Sequence, residues 1–205
     1  MKKQRIGLLG GTFDPLHFGH IHLGIEMQET HVLDTIIVCP AASSPLKTTR
    51  TPQASNEQRL QMAQLAALDI PGWRVIDWEV KRSGASYTID TVRALRAEAE
   101  KNKEKIELFL LLGEDALGQF DKWKEVEELV RLAPPLIGVR GQREGLPAGI
   151  PPSLEEICQK GRTRTRVFEI SSTLVRDRLK RKLYCGHLVP PKILDFIYQH
   201  QLYFY

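Results

Sequence analysis

Apolar and polar positions along this chain switch repeatedly between a period of two and a period near 3.6, and the switches lay out strands alternating with helices. The first apolar run, Ile6, Leu8 and Leu9, is closed by Gly10 and Gly11 and predicts a buried strand. Asp14-Pro15 marks a turn, because a residue before proline is driven out of the helical region. Leu16 to Gln28 then reads as a helix, with Leu16, Ile21, Leu23 and Ile25 toward a sheet. Thr35–Cys39 is β-branched, precedes Pro40 and predicts a second buried strand. Ser55, with Gln58 three residues on, caps a helix over Asn56–Asp69. Trp73–Val80 alternates as a half-exposed strand and is placed at an edge. Thr88–Lys101 is a helix with Ile89, Val92 and Leu95 in register, capped by Ser86 or Thr88. Ile106–Leu112 is the most apolar run and is expected at the sheet centre. Helix follows to about Ala133, then a strand at Leu136–Val139, a short helix at Ser153–Lys160 and a last strand at Thr165–Ile170. Ser171 starts a helix through Leu183, and Pro190–His200 carries Ile193, Leu194 and Ile197 as an apolar stripe. This alternation gives an α/β fold with a mainly parallel sheet. Loops 40–54 and 140–152, rich in proline or glycine, interrupt the pattern without splitting it. Residues 1–205 are therefore expected to form a single domain.

Composition narrows the class. The 205 residues are 42% hydrophobic and 26% charged, ordinary for a globular protein with a sizeable core. The net charge of +4 suits anionic small molecules and does not call for nucleic acid. Two basic runs, Arg162-Thr163-Arg164-Thr165-Arg166 and Lys180-Arg181-Lys182, lack the interleaved aromatics of single-strand binders and read as solvated faces. Three dispersed cysteines, Cys39, Cys158 and Cys185, point to reduced thiols and a cytoplasmic setting. No run is long enough for a signal peptide or a membrane span.

The chemistry concentrates at three predicted strand ends. In IGLLGGTFDPLHFGHIH, two glycines let phosphate approach the backbone, and free N–H groups at a helix start attract anions. His17 and His20, three apart, share a face if both are helical; zinc ligands on a helix are commonly four apart, so a metal fits poorly. A second strand end holds Gly113-Glu114-Asp115. The third, Ile170-Ser171-Ser172-Thr173-Leu174-Val175-Arg176, offers hydroxyls, helix-start N–H groups and a guanidinium fork, a combination suited to polyphosphate.

Gly10-Gly11-Thr12-Phe13-Asp14-Pro15-Leu16-His17-Phe18-Gly19-His20 resembles the HxGH signature of the nucleotidyltransferase superfamily, in the GGTFDPxHxGH form of bacterial nicotinate-nucleotide adenylyltransferases. ISSTLVR is similar to the ISSTxxR motif of the same superfamily. Ser86-Tyr87-Thr88 with Ile89-Asp90-Thr91 resembles SYTxDT, Gly113-Glu114-Asp115 resembles GxD, and Lys122-Trp123 resembles KW. Lys47 keeps the lysine of the family's PHK, with Leu46 in place of its histidine, and Arg59 fits a family arginine position or is a surface helix residue. The resemblance implies a Rossmann-like open sheet, mainly parallel, with helices on both faces and a small helical C-terminal part.

It also implies adenylyl transfer from ATP to nicotinate mononucleotide, giving deamido-NAD and pyrophosphate. His17, His20 and Arg176 become the catalytic candidates. Gly10, Gly11, Thr12, Phe13, Lys47, Ser171, Ser172 and Thr173 join them as ATP contacts. Lys47, Tyr87, Thr88, Asp115 and Trp123 become candidates for the mononucleotide, although Trp123 could equally pack in the core with Val126. Mg²⁺ is expected to arrive with ATP, no resident metal or membrane partner is implied, and a homo-oligomer is compatible with this reading. The competing readings are a phosphopantetheine adenylyltransferase, which shares TFDPxxxGH and ISST, and a nucleotide-binding module without turnover.

Overall fold

The computed structural model describes residues 3–43, 51–82, 84–140, 145–146, 150–166 and 168–205. Lys47, Leu46 and much of the two expected loops lie outside that set. A six-stranded sheet runs in the order β3-β2-β1-β4-β5-β6. Its strands are β1 (Gln4–Gly11), β2 (Thr35–Pro40), β3 (Trp73–Val75), β4 (Ile106–Gly113), β5 (Pro135–Arg140) and β6 (Arg162–Thr165). The sheet is open and parallel, with registers such as Ile6↔Leu108, Leu111↔Leu136 and Gly138↔Thr163. Strand order reverses between β1 and β4, so their carboxyl ends are where such a sheet presents ligand-binding loops. The helices are α1 (Phe18–Thr30), α2 (Asn56–Ala67), α3 (Thr88–Lys101), α4 (Val126–Leu132), α5 (Pro152–Lys160), α6 (Ser172–Lys180) and α7 (Pro191–Gln199).

The chain forms two compact units, each assembled from three separate stretches of sequence. The first comprises Met1–Gly10, Leu23–Ile37 and Tyr87–Val167. Its sheet buries Ile6, Leu8, Leu108, Leu110 and Ile137, and Val92 and Leu95 of α3 are buried as their spacing predicts. Arg93 of α3 is paired with Glu125 and Glu128, and Lys124 with Asp90, tying α3 to the segment that opens α4. The second unit comprises Gly11–His22, Val38–Ser86 and Phe168–Tyr205. There the predicted capping box forms, with Gln58 N–H donating to Ser55 Oγ and Ser55 N–H to Gln58 Oε1. In α7, Ile193, Leu194, Phe196 and Ile197 are all buried.

Several elements depart from the sequence expectation. The strand expected over Trp73–Val80 stops at Val75; Ile76 still donates to Val38 O, and a turn closed by Lys81 N–H on Asp77 O follows. The edge position itself is as expected. The last strand is not Thr165–Ile170 but Arg162–Thr165, in which Thr163 and Thr165 turn inward and Arg164 outward. After β4 the chain makes a 3₁₀ segment, Glu114–Lys122, kinked at Gln119, before α4 begins at Val126. The cap foreseen for α3 is absent: Tyr87 holds the N-cap position without a side-chain bond, and Ser86 Oγ instead accepts from Ala42 N–H at 3.0 Å.

Cys39, Cys158 and Cys185 are free and buried, and burial pushes all three thiols up. Among the described residues no helix is long and apolar enough to cross a membrane.

Candidate functional site

Most of the residues singled out for phosphate chemistry fall in the second unit, on the loop leaving β1 and on the start of α6. The loop turns back on itself at Phe13, which takes a left-handed backbone (φ 51°). Its ring lies over Gly11, where a Cβ would stand 2.8 Å from Phe13 Cε1. Gly10 has no atom within 4 Å of its own Cβ position and is exposed, so its main chain is open to a ligand.

Two buried groups fix the backbone between Thr12 and Pro15. Arg59 is fully buried, not a surface helix residue. Its Nη1 donates to Thr12 O and Ala41 O at 2.6 Å each, and its Nη2 donates to Ala42 O at 3.1 Å and Asn56 Oδ1 at 2.6 Å. Burial pulls this guanidinium below its ordinary range, with Asp14 opposing. Asp14 is 5% exposed. Its Oδ2 accepts from Gln53 N–H at 2.9 Å, and its Oδ1 from Ala54 N–H at 3.1 Å and Tyr203 O–H at 2.7 Å.

His17 and His20 do not both stand on the helix. α1 begins at Phe18, so His17 is the residue before the first turn and His20 the third within it. His20 N–H donates to His17 O at 2.9 Å, and His17 N–H donates to His20 Nδ1 at 3.2 Å. The second bond is one half of a capping box, an imidazole at the third helical position accepting the N-cap N–H where Glu or Gln usually does, and it accounts for the spacing of three. A backbone N–H can only donate, so Nδ1 is the acceptor and a neutral His20 carries its proton on Nε2. The two rings stack with centroids 3.7 Å apart, and the Phe13 ring meets His20 edge-on at 5.0 Å. Gly19 lies beneath the His17 ring, where a Cβ would be 3.0 Å from Cε1 and Nδ1. His17 is buried and His20 half-buried.

α6 meets this loop directly. Ser171 caps the helix by accepting from Leu174 N–H at 3.1 Å. Ser172 Oγ donates to Pro15 O at 3.0 Å. Arg176 Nη1 donates to Asp14 O at 2.6 Å, and Nη2 donates to Thr173 Oγ1 at 3.2 Å. Ser172 and Thr173 occupy the first helical turn, whose N–H groups have no partner within the helix. Histidine rings, helix start and half-buried guanidinium thus gather on one small piece of structure. Its formal charge, one arginine and a helix dipole, favours an anion. Among the described residues, no group of three or more His, Cys, Asp or Glu is arranged to hold a metal ion.

Tyr87, Thr88, Asp115 and Trp123 belong to the first unit. Thr88 is the first residue of α3, and Lys124 Nζ sits 4.7 Å over the Tyr87 ring. Asp115 is exposed in the first turn of the 3₁₀ segment. Trp123 packs edge-on against the buried Phe120 at 5.2 Å and stays half-exposed, ending the 3₁₀ segment instead of sharing a helix face with Val126. Asp14 and Tyr203 were not singled out in the sequence as site residues. Asp14 is inside the motif and buried, a signal that the turn reading hid; Tyr203 carried no local signal.

Comparison with known proteins places the chain in a family and agrees with the fold. The model of the cytidylyltransferase-like family matches residues 8–178. A protein of Herpetosiphon aurantiacus named "Probable nicotinate-nucleotide adenylyltransferase" is 36% identical over 204 residues, 98% of each chain. One of the same name from Dehalococcoides mccartyi is 36% identical over 208 residues, covering 99% of this chain and 98% of that one. The solved structure of Plasmodium falciparum nicotinic acid mononucleotide adenylyltransferase complexed with APC superposes with a TM-score of 0.73 at 19% identity. It covers 98% of this chain and 97% of that one, a likeness of fold.

Proposed function

This chain belongs to the cytidylyltransferase-like family and, within it, to the nicotinate-nucleotide adenylyltransferases, and from that premise we propose that it transfers AMP from ATP to nicotinate mononucleotide, giving deamido-NAD and pyrophosphate in NAD biosynthesis. The observation that carries the reading to particular residues is the union of the His17–His20 turn with the α6 start through the Arg176–Asp14 and Ser172–Pro15 bonds.

An oxygen of the mononucleotide 5′-phosphate attacks the α-phosphorus of ATP. The bond from that phosphorus to the β-bridging oxygen breaks, and pyrophosphate leaves with the electron pair. A phosphate oxygen is already nucleophilic, so no protein base or covalent intermediate is required. Catalysis then consists of alignment and stabilisation of spreading negative charge. We assign the Nε2–H of His20 to the charge that builds at the transferred phosphoryl group, with His17 stacked behind it. Arg176, Ser171, Ser172 and Thr173 hold the leaving phosphates through the guanidinium and the helix start. Gly10, Gly11, Thr12 and Phe13 serve through their main chain, since the Phe13 ring is itself buried.

Mg²⁺ would enter with ATP as part of the substrate and would supply charge neutralisation to its phosphates. Lys47 is assigned to phosphate on its sequence motif. Tyr87, Thr88, Asp115 and Trp123 are assigned to the mononucleotide: Thr88 by its helix-start N–H, Asp115 by sugar hydroxyls, and Trp123 by its half-exposed ring. The whole of residues 1–205 acts as one catalytic domain in this proposal, in the cytoplasm.

The test is pyrophosphate release from MgATP with nicotinate mononucleotide, its amide analogue, or phosphopantetheine, assayed side by side. Release with the acid mononucleotide, faster than with the amide, is expected. Release only with phosphopantetheine would move the chain to that enzyme class, and no release with any of the three would favour a nucleotide-binding module.

A further inference from the structure

Past α7, Tyr203 adopts a left-handed backbone (φ 68°), uncommon for an aromatic residue, and its ring is 6% exposed. A residue kept in that conformation is held by its surroundings. The buried hydroxyl donates to Asp14 Oδ1 at 2.7 Å. Burial and the Asp14 charge push this phenol far above its ordinary range, so it remains a donor throughout the working pH range.

Asp14 therefore accepts from three donors, Gln53 N–H, Ala54 N–H and Tyr203 O–H. Its carboxylate lies 3.8 Å from Arg176 Nη1, a loose ion pair, although that nitrogen bonds the Asp14 carbonyl oxygen at 2.6 Å. A buried carboxylate short of one donor would draw in the nearest cation, and Arg176 is that neighbour. A guanidinium closed onto Asp14 in two-pronged fashion would offer fewer N–H groups to a phosphate.

We propose that Tyr203 is a positioning residue of the nucleotide site: its hydroxyl satisfies Asp14 and so keeps Arg176 directed at the phosphates of ATP instead of at the Asp14 carboxylate. The inference deepens the proposed adenylyl transfer and rests on that reading for its kinetic expression. Its chemistry concerns residues 189 positions apart in sequence.

The experiment is a double-mutant cycle on the full chain with Tyr203→Phe, Arg176→Ala and both together, reading kcat and the KM values for MgATP and nicotinate mononucleotide at 25 °C. Alongside it, the rise in melting temperature caused by MgATP alone is measured. Loss of one hydroxyl keeps the ring's packing, and circular dichroism verifies the fold of each variant. Tyr203→Phe is expected to lower kcat about tenfold, to leave the KM for nicotinate mononucleotide unchanged, and to shrink the MgATP-induced rise; in the Arg176→Ala background it should change kcat less than about twofold. An unchanged kcat in the single variant, or the same tenfold loss in both backgrounds, overturns the inference and assigns Tyr203 a structural role only. Should the wild-type chain release no pyrophosphate, the functional reading fails by itself. The melting shifts then decide: an effect of Tyr203→Phe that vanishes without Arg176 supports the coupling, and one that persists or never appears rejects it.

Discussion

A methyl group at position 19 would stand 3.0 Å from Cε1 and Nδ1 of His17, while the two residues before Gly19, His17 and Phe18, serve as N-cap and first helical residue. The motif His17-Phe18-Gly19-His20 is thus explained position by position. His17 starts the helix, Phe18 N–H is taken by Leu188 O at 2.9 Å, Gly19 leaves room for the ring, and His20 reaches back to close the cap. The last contact also fixes which nitrogen of His20 can donate. His20→Ala removes that donor together with the cap. Turnover is expected to fall about a hundredfold or more, the scale of losing one transition-state hydrogen-bond donor, while the affinity for MgATP falls far less. Steady-state kinetics and nucleotide titration check the split, and equal turnover in the variant rejects the assignment. Arg59 supplies the counterexample among single residues. Its sequence fitted a family arginine position but left a surface side chain open, and it is the hidden clamp for three loop carbonyls, since a lone cation on an otherwise apolar face gives no sign of how many acceptors await it.

At the scale of elements, Gly161 controls how β6 joins the sheet. A Cβ there would stand 1.9 Å from Pro135 O, main chain that cannot swing aside, and Gly161 O accepts from Ile137 N–H at 2.8 Å. Gly161→Ala must push β6 away from β5, and a loss of about 2–3 kcal/mol in urea unfolding is expected, the upper range for overpacking. A midpoint equal to wild type would show that the strand slides freely. β6 is also where sequence reasoning failed most plainly. Its Arg-Thr alternation has the period of a strand, but without apolar residues it read as a basic surface run, and the apolar TRVFEI stretch drew the strand downstream. Helix α3 was legible to its first and last residue, and β4 and the Ser55–Gln58 box nearly so, because their signals are local and apolar or come from a single cap. The short β3 and the kinked 3₁₀ segment were not, since the turn at Asp77 and the break at Gln119 compete with patterns that continue through them. The phosphate half of the candidate site was legible as two motifs; their bond to each other, through Asp14 and Arg176, spans 162 residues and has no local trace.

For the molecule as a whole, a pH-dependent contribution to stability is expected from His31, whose Nε2 lies 2.7 Å from Thr163 Oγ1. Burial, with Arg5 adding to it, pulls this imidazole below its ordinary value of 6.5. Above that value neither folded nor unfolded chain holds the proton, so the contribution to stability is complete. Below it the unfolded chain takes the proton first, and stability falls until the pH passes the lower folded value. As the pH falls below 6.5 the urea midpoint is therefore expected to decline more steeply in the wild type than in His31→Gln, which keeps a donor for Thr163. Parallel curves would place the acid sensitivity elsewhere. The same long-range wiring that hid the site from the sequence also sets a timetable. Asp14 and Tyr203 leave the ribosome 189 residues apart, and at roughly 5–20 residues per second the motif loop waits roughly 10–40 s for its last hydrogen-bond donor. During synthesis His17, His20 and the two glycines are present before that last bond can form, and a weaker hold on MgATP is expected in a chain that stops short of Tyr203 than in one that includes it.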